Sequence, residues 1–256
     1  MGAAAVPTTA GTGSEATRVT VITDESNDEK MLCLGIGFLP TVAVVDYELT
    51  LSVPSRTTAD TGIDALTHAL EAYVSKKANA YSDIQAVAAM KLLAPNLRRV
   101  FNNGKDREAR EAMMLGSTLA GIAFSNASVA LVHGMSRPIG ALYHVPHGLS
   151  NAMLLPAVTE YSIPAAEQRY ADAARVMGIA QASDTNIKAN QKLMDELFAI
   201  NRELEVPTPA EFGISRTRFF ENLNMKAQQA LASGSPANNP RVPDADSIIE
   251  IYKQLW

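Results

Sequence analysis

The feature that most constrains this chain is a change of hydrophobic period near residue 53. Beyond that point apolar residues recur at mixed three- and four-residue spacing, the period of a helix that buries one face. Residues 55–75, 81–102, 107–123, 165–177, 186–204 and 244–256 each carry the pattern. Breakers separate them: Asn102-Asn103-Gly104, Pro156, Pro164, Pro207-Thr208-Pro209, and the stretch 233–243 with its three prolines. Ahead of residue 53 the character is different. Residues 3–6 form a short apolar run that stops at Pro7, and 8–14 read as a Thr/Gly-rich loop. Residues 18–23 are rich in β-branched side chains, 31–36 are apolar, and 41–46 (TVAVVD) look like a buried strand. A polar connection over 24–30 lies between two of these runs. The expected fold class is mainly α: a few β-strands over 1–52, then an all-helical domain over 53–256, about two hundred residues and an ordinary domain size. Three or four strands without a helix cannot cover both faces of a sheet. They either pack on the helical part or belong to a larger sheet domain.

Composition removes several function classes. The chain of 256 residues carries a formal charge of −5 and no basic stripe, which argues against a nucleic-acid partner. Hydrophobic content of 47% with 19% charged residues is that of a globular protein. A single cysteine, Cys33, excludes an internal disulfide. No apolar run approaches the roughly 18 residues of a membrane span, and residues 1–5 lack the basic and apolar regions of a secretory signal. The expected setting is cytoplasmic, with no membrane partner.

All four histidines fall between positions 68 and 147. His68 follows Asp64 by four residues inside a helical pattern, so both side chains lie on one helix face. His133 and His147 are 14 residues apart, roughly 21 Å on an unbroken helix, too far to share one ion. Pro138, Gly140 and Pro146 supply breaks that would let the chain return. Spacing alone leaves two readings open: a surface Asp/His pair beside a Pro-His-Gly turn, or one shared metal site. Three imidazoles and a carboxylate suit Fe(II), Zn(II) or a similar first-row ion.

Several long motifs in order carry a resemblance. GIDALTHALEAY (62–73), GIAFSNA (121–127), HGMSRPIGA (133–141) and His147-Gly148 resemble the iron-containing (group III) alcohol dehydrogenases. The likeness runs from about Pro7 to the C-terminus. It implies metal ligands at Asp64, His68, His133 and His147, and a fold in which a dinucleotide-binding α/β domain precedes an all-helical one, with the metal in the cleft between them. It also implies NAD- or NADP-dependent interconversion of an alcohol with an aldehyde or ketone, the ion acting as Lewis acid. PTTAGTGSE (7–15) is similar to the family's cofactor loop, which assigns Thr8, Thr9, Thr12, Thr17 and Lys30 to cofactor binding. On this reading 1–52 is the last part of a dinucleotide-binding domain, because the family's earlier Gly-Gly-Gly-Ser turn has no counterpart in this sequence.

A second departure falls four residues after His133, where many members carry a histidine and this chain has Arg137. A guanidinium stays charged and is a poor general acid or base, but at i+4 from His133 it faces the cleft. Arg137 and the nearby His144 are the catalytic candidates, His144 as a proton relay. Glu71, three residues beyond His68, reads as an exposed helix charge rather than a support for the ligands. The expected partners are a small alcohol or aldehyde and further copies of the chain in a homo-oligomer. Two rivals stand beside the dehydrogenase reading: a redox-inactive metal-binding remnant or interaction protein, and a metal-assisted hydrolase. The hydrolase ranks last, since no His-Glu-x-x-His motif supplies a base.

Overall fold

The computed structural model describes residues 2–24 and 29–256; the side chains of 21, 23–24 and 29–32 lie outside the description. Most of the polar connection expected over 24–30, and the side chain of Lys30, therefore fall outside it. Among the described residues, four short strands come first. β1 (Ala4–Ala5) pairs in parallel with β4 (Val42–Ala43), Ala4 opposite Val42. β2 (Val19–Asp24) pairs antiparallel with β3 (Glu29–Leu34), Val19 opposite Leu34. Neither pair alone has enough strands to be stable in water.

The helical part begins at α1 (Ser55–Val74), which is buried along most of its length. Its inward positions are largely small, including Ala59, Gly62, Ala65, Ala69 and Ala72, so neighbouring helices approach closely. Against it pack α2 (Ala80–Asn102), α3 (Arg107–Ala127) and α5 (His147–Ser162). α2 starts at a reciprocal cap: the Asn79 side chain accepts from the Ser82 backbone, and Ser82 returns the bond to the Asn79 backbone. α3 starts at Asp106, whose carboxylate accepts from the Ala109 amide at 3.1 Å. α4 (Leu131–Tyr143) packs chiefly on α5, and α6 (Glu167–Val176), α7 (Asn186–Glu203), α8 (Arg216–Glu221), α9 (Leu223–Ala232) and α10 (Ala245–Lys253) complete the domain.

Three expectations need correcting. The run 41–46 is not a buried strand: only Val42 and Ala43 pair, and Val42, Val44 and Val45 are exposed. Pro138 and Gly140 do not break the chain between His133 and His147, because both lie inside α4. The reversal occurs later, at His144, which adopts a left-handed conformation (φ 56°), followed by Val145 and Pro146. Pro156 is likewise inside α5 rather than a boundary. A proline in a helix interior costs about 3 kcal/mol, and here burial outweighs it: residues 149–159 of α5 are all buried.

Two glycines make the site's layout possible. A Cβ on Gly148 would come within 2.3 Å of the Asp60 carbonyl oxygen, so the start of α5 can rest on α1 only without a side chain there. A Cβ on Gly121 of α3 would meet the Gly13 carbonyl oxygen at 2.4 Å, where the Thr-rich loop seats against α3. The same loop is tied by Glu15, buried, which accepts a 2.6 Å hydrogen bond from the Thr118 hydroxyl of α3. Among the described residues no single helix is long and apolar enough to cross a membrane.

Candidate metal centre

Three helices deliver the four residues. Asp64 and His68 lie one turn apart on α1, His133 sits in the first turn of α4, and His147 opens α5. Each offers one ligand atom, and these atoms all lie within 4.8 Å of one another. Around Asp64 Oδ1 stand His133 Nε2 at 3.4 Å, His147 Nε2 at 3.7 Å and His68 Nδ1 at 3.9 Å. Asp64, His68 and His133 are almost fully buried, while the His147 side chain is 51% exposed, so the cluster opens to solvent on the His147 side.

The surroundings fix the rings. His68 is stacked between Phe124 (centroids 4.3 Å apart) and His133 (4.4 Å), and the backbone of Gly11 in the Thr-rich loop acts on its ring in the sense that raises its pKa. Its Nδ1 is buried without a hydrogen-bond partner. The Asn151 amide donates to Asp64 Oδ1 at 2.6 Å and lies 3.2 Å and 3.3 Å from the Nε2 atoms of His133 and His147. Glu71 contradicts its reading as an exposed helix charge. It is buried, and its carboxylate accepts from the amides of Ala130 (2.9 Å) and Val132 (2.6 Å) and faces His133 Nδ1 at 2.7 Å. Its position on the inner face of α1 is created by α4 packing over it, and a sequence cannot show that.

Electrostatics agree with the geometry. Burial pushes the Asp64 carboxyl up, but His68, His133 and His147 together outweigh it and hold the carboxyl well below the usual range. Burial pulls His68 down to about 3, so its ring is neutral and offers a lone pair at neutral pH. His133 is also opposed by burial, yet Glu71 and Asp64 raise it to about 9. A buried, ionised carboxylate among three imidazoles, one of them with an orphaned ring nitrogen, fits a divalent first-row ion.

The remaining sequence candidates are spread around this centre. Thr8 and Thr12 are exposed and Thr9 half-buried. Thr17 is buried, its hydroxyl donating to the carbonyls of Ser14 (3.2 Å) and Val19 (3.3 Å), which holds the loop's shape. Arg137 is half-buried one turn beyond His133; burial lowers its guanidinium and Glu71 acts in the opposite sense. His144 is exposed at the far end of α4, roughly 16 Å of helical rise from His133. Asn151, Phe124 and Gly11 escaped sequence reasoning. Only Asn151 carried a signal, its i+4 spacing from His147.

Comparison with known proteins gives this arrangement a family. Residues 58–256 match the C-terminal domain model of the Fe-containing alcohol dehydrogenase family, and residues 2–47 match the iron-containing alcohol dehydrogenase model. The chain belongs to the iron-containing alcohol dehydrogenase family. Among its relatives, lactaldehyde reductase of Escherichia coli (strain K12) is 38% identical over 98% of this chain and 65% of that protein. The NAD-dependent methanol dehydrogenase of Bacillus methanolicus is 37% identical over 97% of this chain and 65% of its own length. The solved structure of an alcohol dehydrogenase from Oenococcus oeni superposes with a TM-score of 0.93 at 35% identity, covering 99% of this chain and 65% of that one. The chain thus spans 65% of the length of these relatives.

Proposed function

We propose that this chain carries the metal-binding half of an NAD(P)-dependent alcohol dehydrogenase or aldehyde reductase, with Asp64, His68, His133 and His147 holding one iron(II), or zinc(II) in its place. The observation that carries the reading is the convergence of these four donors, all within 4.8 Å of one another, with the backbone of Gly11 in the Thr-rich loop acting on the His68 ring. The ion's contribution when bound is Lewis acidity toward an alcohol or carbonyl oxygen, while a nicotinamide exchanges hydride with the substrate carbon.

The chain's own residues supply the setting. The exposed face of His147 leaves the approach for a small substrate, and the stack of Phe124 on His68 excludes water from the opposite side. The loop that carries Thr8, Thr9 and Thr12, the first and last of them exposed, is the segment that the resemblance assigns to a dinucleotide. Arg137 cannot move a proton at neutral pH, so its role is to orient an anionic or polar group near the ligands.

Fluorescence titration of the iron-loaded chain with NADH and with NADPH tests this, followed by an assay with short aldehydes. Saturable binding of one cofactor and aldehyde-dependent oxidation, both assayed again in His133→Ala, are expected, with turnover lost in the variant. Absence of saturable binding of either cofactor up to about 1 mM would contradict the dehydrogenase reading. The metal-binding reading would then stand alone.

A further inference from the structure

Glu71 occupies a position that a helix cap alone does not account for. Its carboxylate has two oxygens and receives three groups: Oε1 accepts from Val132 N, while Oε2 accepts from Ala130 N and faces His133 Nδ1. The residue is buried, and α4 has no side-chain cap of its own at Ala130. An imidazole beside a carboxylate keeps its proton on the nitrogen facing that carboxylate. For His133 that nitrogen is Nδ1, so Nε2, 3.4 Å from Asp64 Oδ1, is the nitrogen that faces the cluster and whose proton an ion would displace on binding.

We infer that Glu71 is a positioning residue: through its contact with His133 Nδ1 it selects the ring nitrogen that His133 presents to the metal, and so sets how tightly the ion is held. The inference rests on the metal reading above. Glu71 also brings a second buried carboxylate within one residue of the ligand set, so a divalent ion with Asp64 and three neutral imidazoles is balanced by it to a formal charge of zero. The two backbone amides tie the same carboxylate to the start of α4, so the helix and the ring are aligned by one group.

Glutamine cannot reproduce this. It has a single acceptor oxygen, and keeping that oxygen on His133 turns its NH2 group against the Val132 amide, donor to donor. Zn(II) titration against a competing chelator, on the wild type and on Glu71→Gln and Glu71→Ala, reads the effect, with the thermal midpoint of each metal-free protein recorded alongside. Zn(II) affinity is expected to fall about tenfold in Glu71→Gln and up to about 100-fold in Glu71→Ala. Nitrogen-15 spectra of the Zn(II)-loaded wild type should show His133 protonated at Nδ1 and metal-bound at Nε2. Affinities within about twofold of wild type, with only the midpoint lowered, would reduce Glu71 to a helix cap. Metal on Nδ1 would overturn the proposal even if both variants fail to fold. A wild type that takes up no Zn(II) would instead overturn the metal reading beneath it.

Discussion

At the scale of single residues, the strongest anomaly outside the metal cluster is Lys226. Its side chain is completely buried, and its ammonium nitrogen lies 3.2 Å from the centroid of Phe219, 4.7 Å from that of Tyr252 and 5.4 Å from that of Tyr143. It donates to the Phe219 carbonyl at 3.2 Å. Ring faces attract a cation, but they replace hydration incompletely, and burial pulls the lysine from 10.5 down to about 7. A base whose folded value is depressed binds fewer protons folded than unfolded between those two values. Stability contributed by this site therefore rises as pH climbs from about 7 to 10.5, and the full penalty applies below 7. Lys226→Met should stabilise the protein by on the order of 2 kcal/mol at pH 6, the gain shrinking toward zero near pH 10. Denaturant unfolding across that range measures it, and a gain independent of pH would show that Lys226 is not the titrating group.

At the scale of elements, much of the helical part was legible and the site only partly so. α1, α2, α3, α6, α7 and α10 carry an apolar stripe over a polar back, and their expected and observed limits differ by a few residues. α5 is buried on nearly every side and offered no stripe, and α4 and α5 contain Pro138 and Pro156, which read as two false stops. These are the helices that carry His133 and His147. Spacing put Asp64 and His68 on one helix face and the resemblance implied the four ligands, but the return that joins them could not be read, because it depends on the left-handed turn at His144. Glu71 was misread for a related reason: a carboxylate three residues beyond a ligand looks the same whether it faces water or a helix start sixty residues away. The loop–helix contact at Gly13 and Gly121 gives a test at this scale. Gly121→Ala places a methyl against the Gly13 backbone and should destabilise the fold by about 1–3 kcal/mol. It should also weaken cofactor binding more than metal binding, since the loop moves and the ligands do not. Equal loss of both in calorimetric titrations would contradict that separation.

At the scale of the whole molecule, the two ends of the chain differ in how well their apolar surface is covered. Val6, Ile36, Phe38, Leu39, Val42 and Val44 are all exposed, and all belong to the short strands and their connections. The helical domain, by contrast, closes a continuous core around α1 with the ligands at its edge. A site assembled from three separate helices, with Gly148 seating α5 on α1 and the buried Glu71 carboxylate holding the start of α4, is pre-organised before any ion arrives. Elemental analysis tests that pre-organisation most directly. Anaerobic loading with Fe(II) followed by desalting should leave about one equivalent of metal on the wild type and far less on His133→Ala, with both proteins folded. A wild type without bound metal, or a His133→Ala variant that retains the full equivalent, would contradict the assignment of Asp64, His68, His133 and His147 as one metal centre.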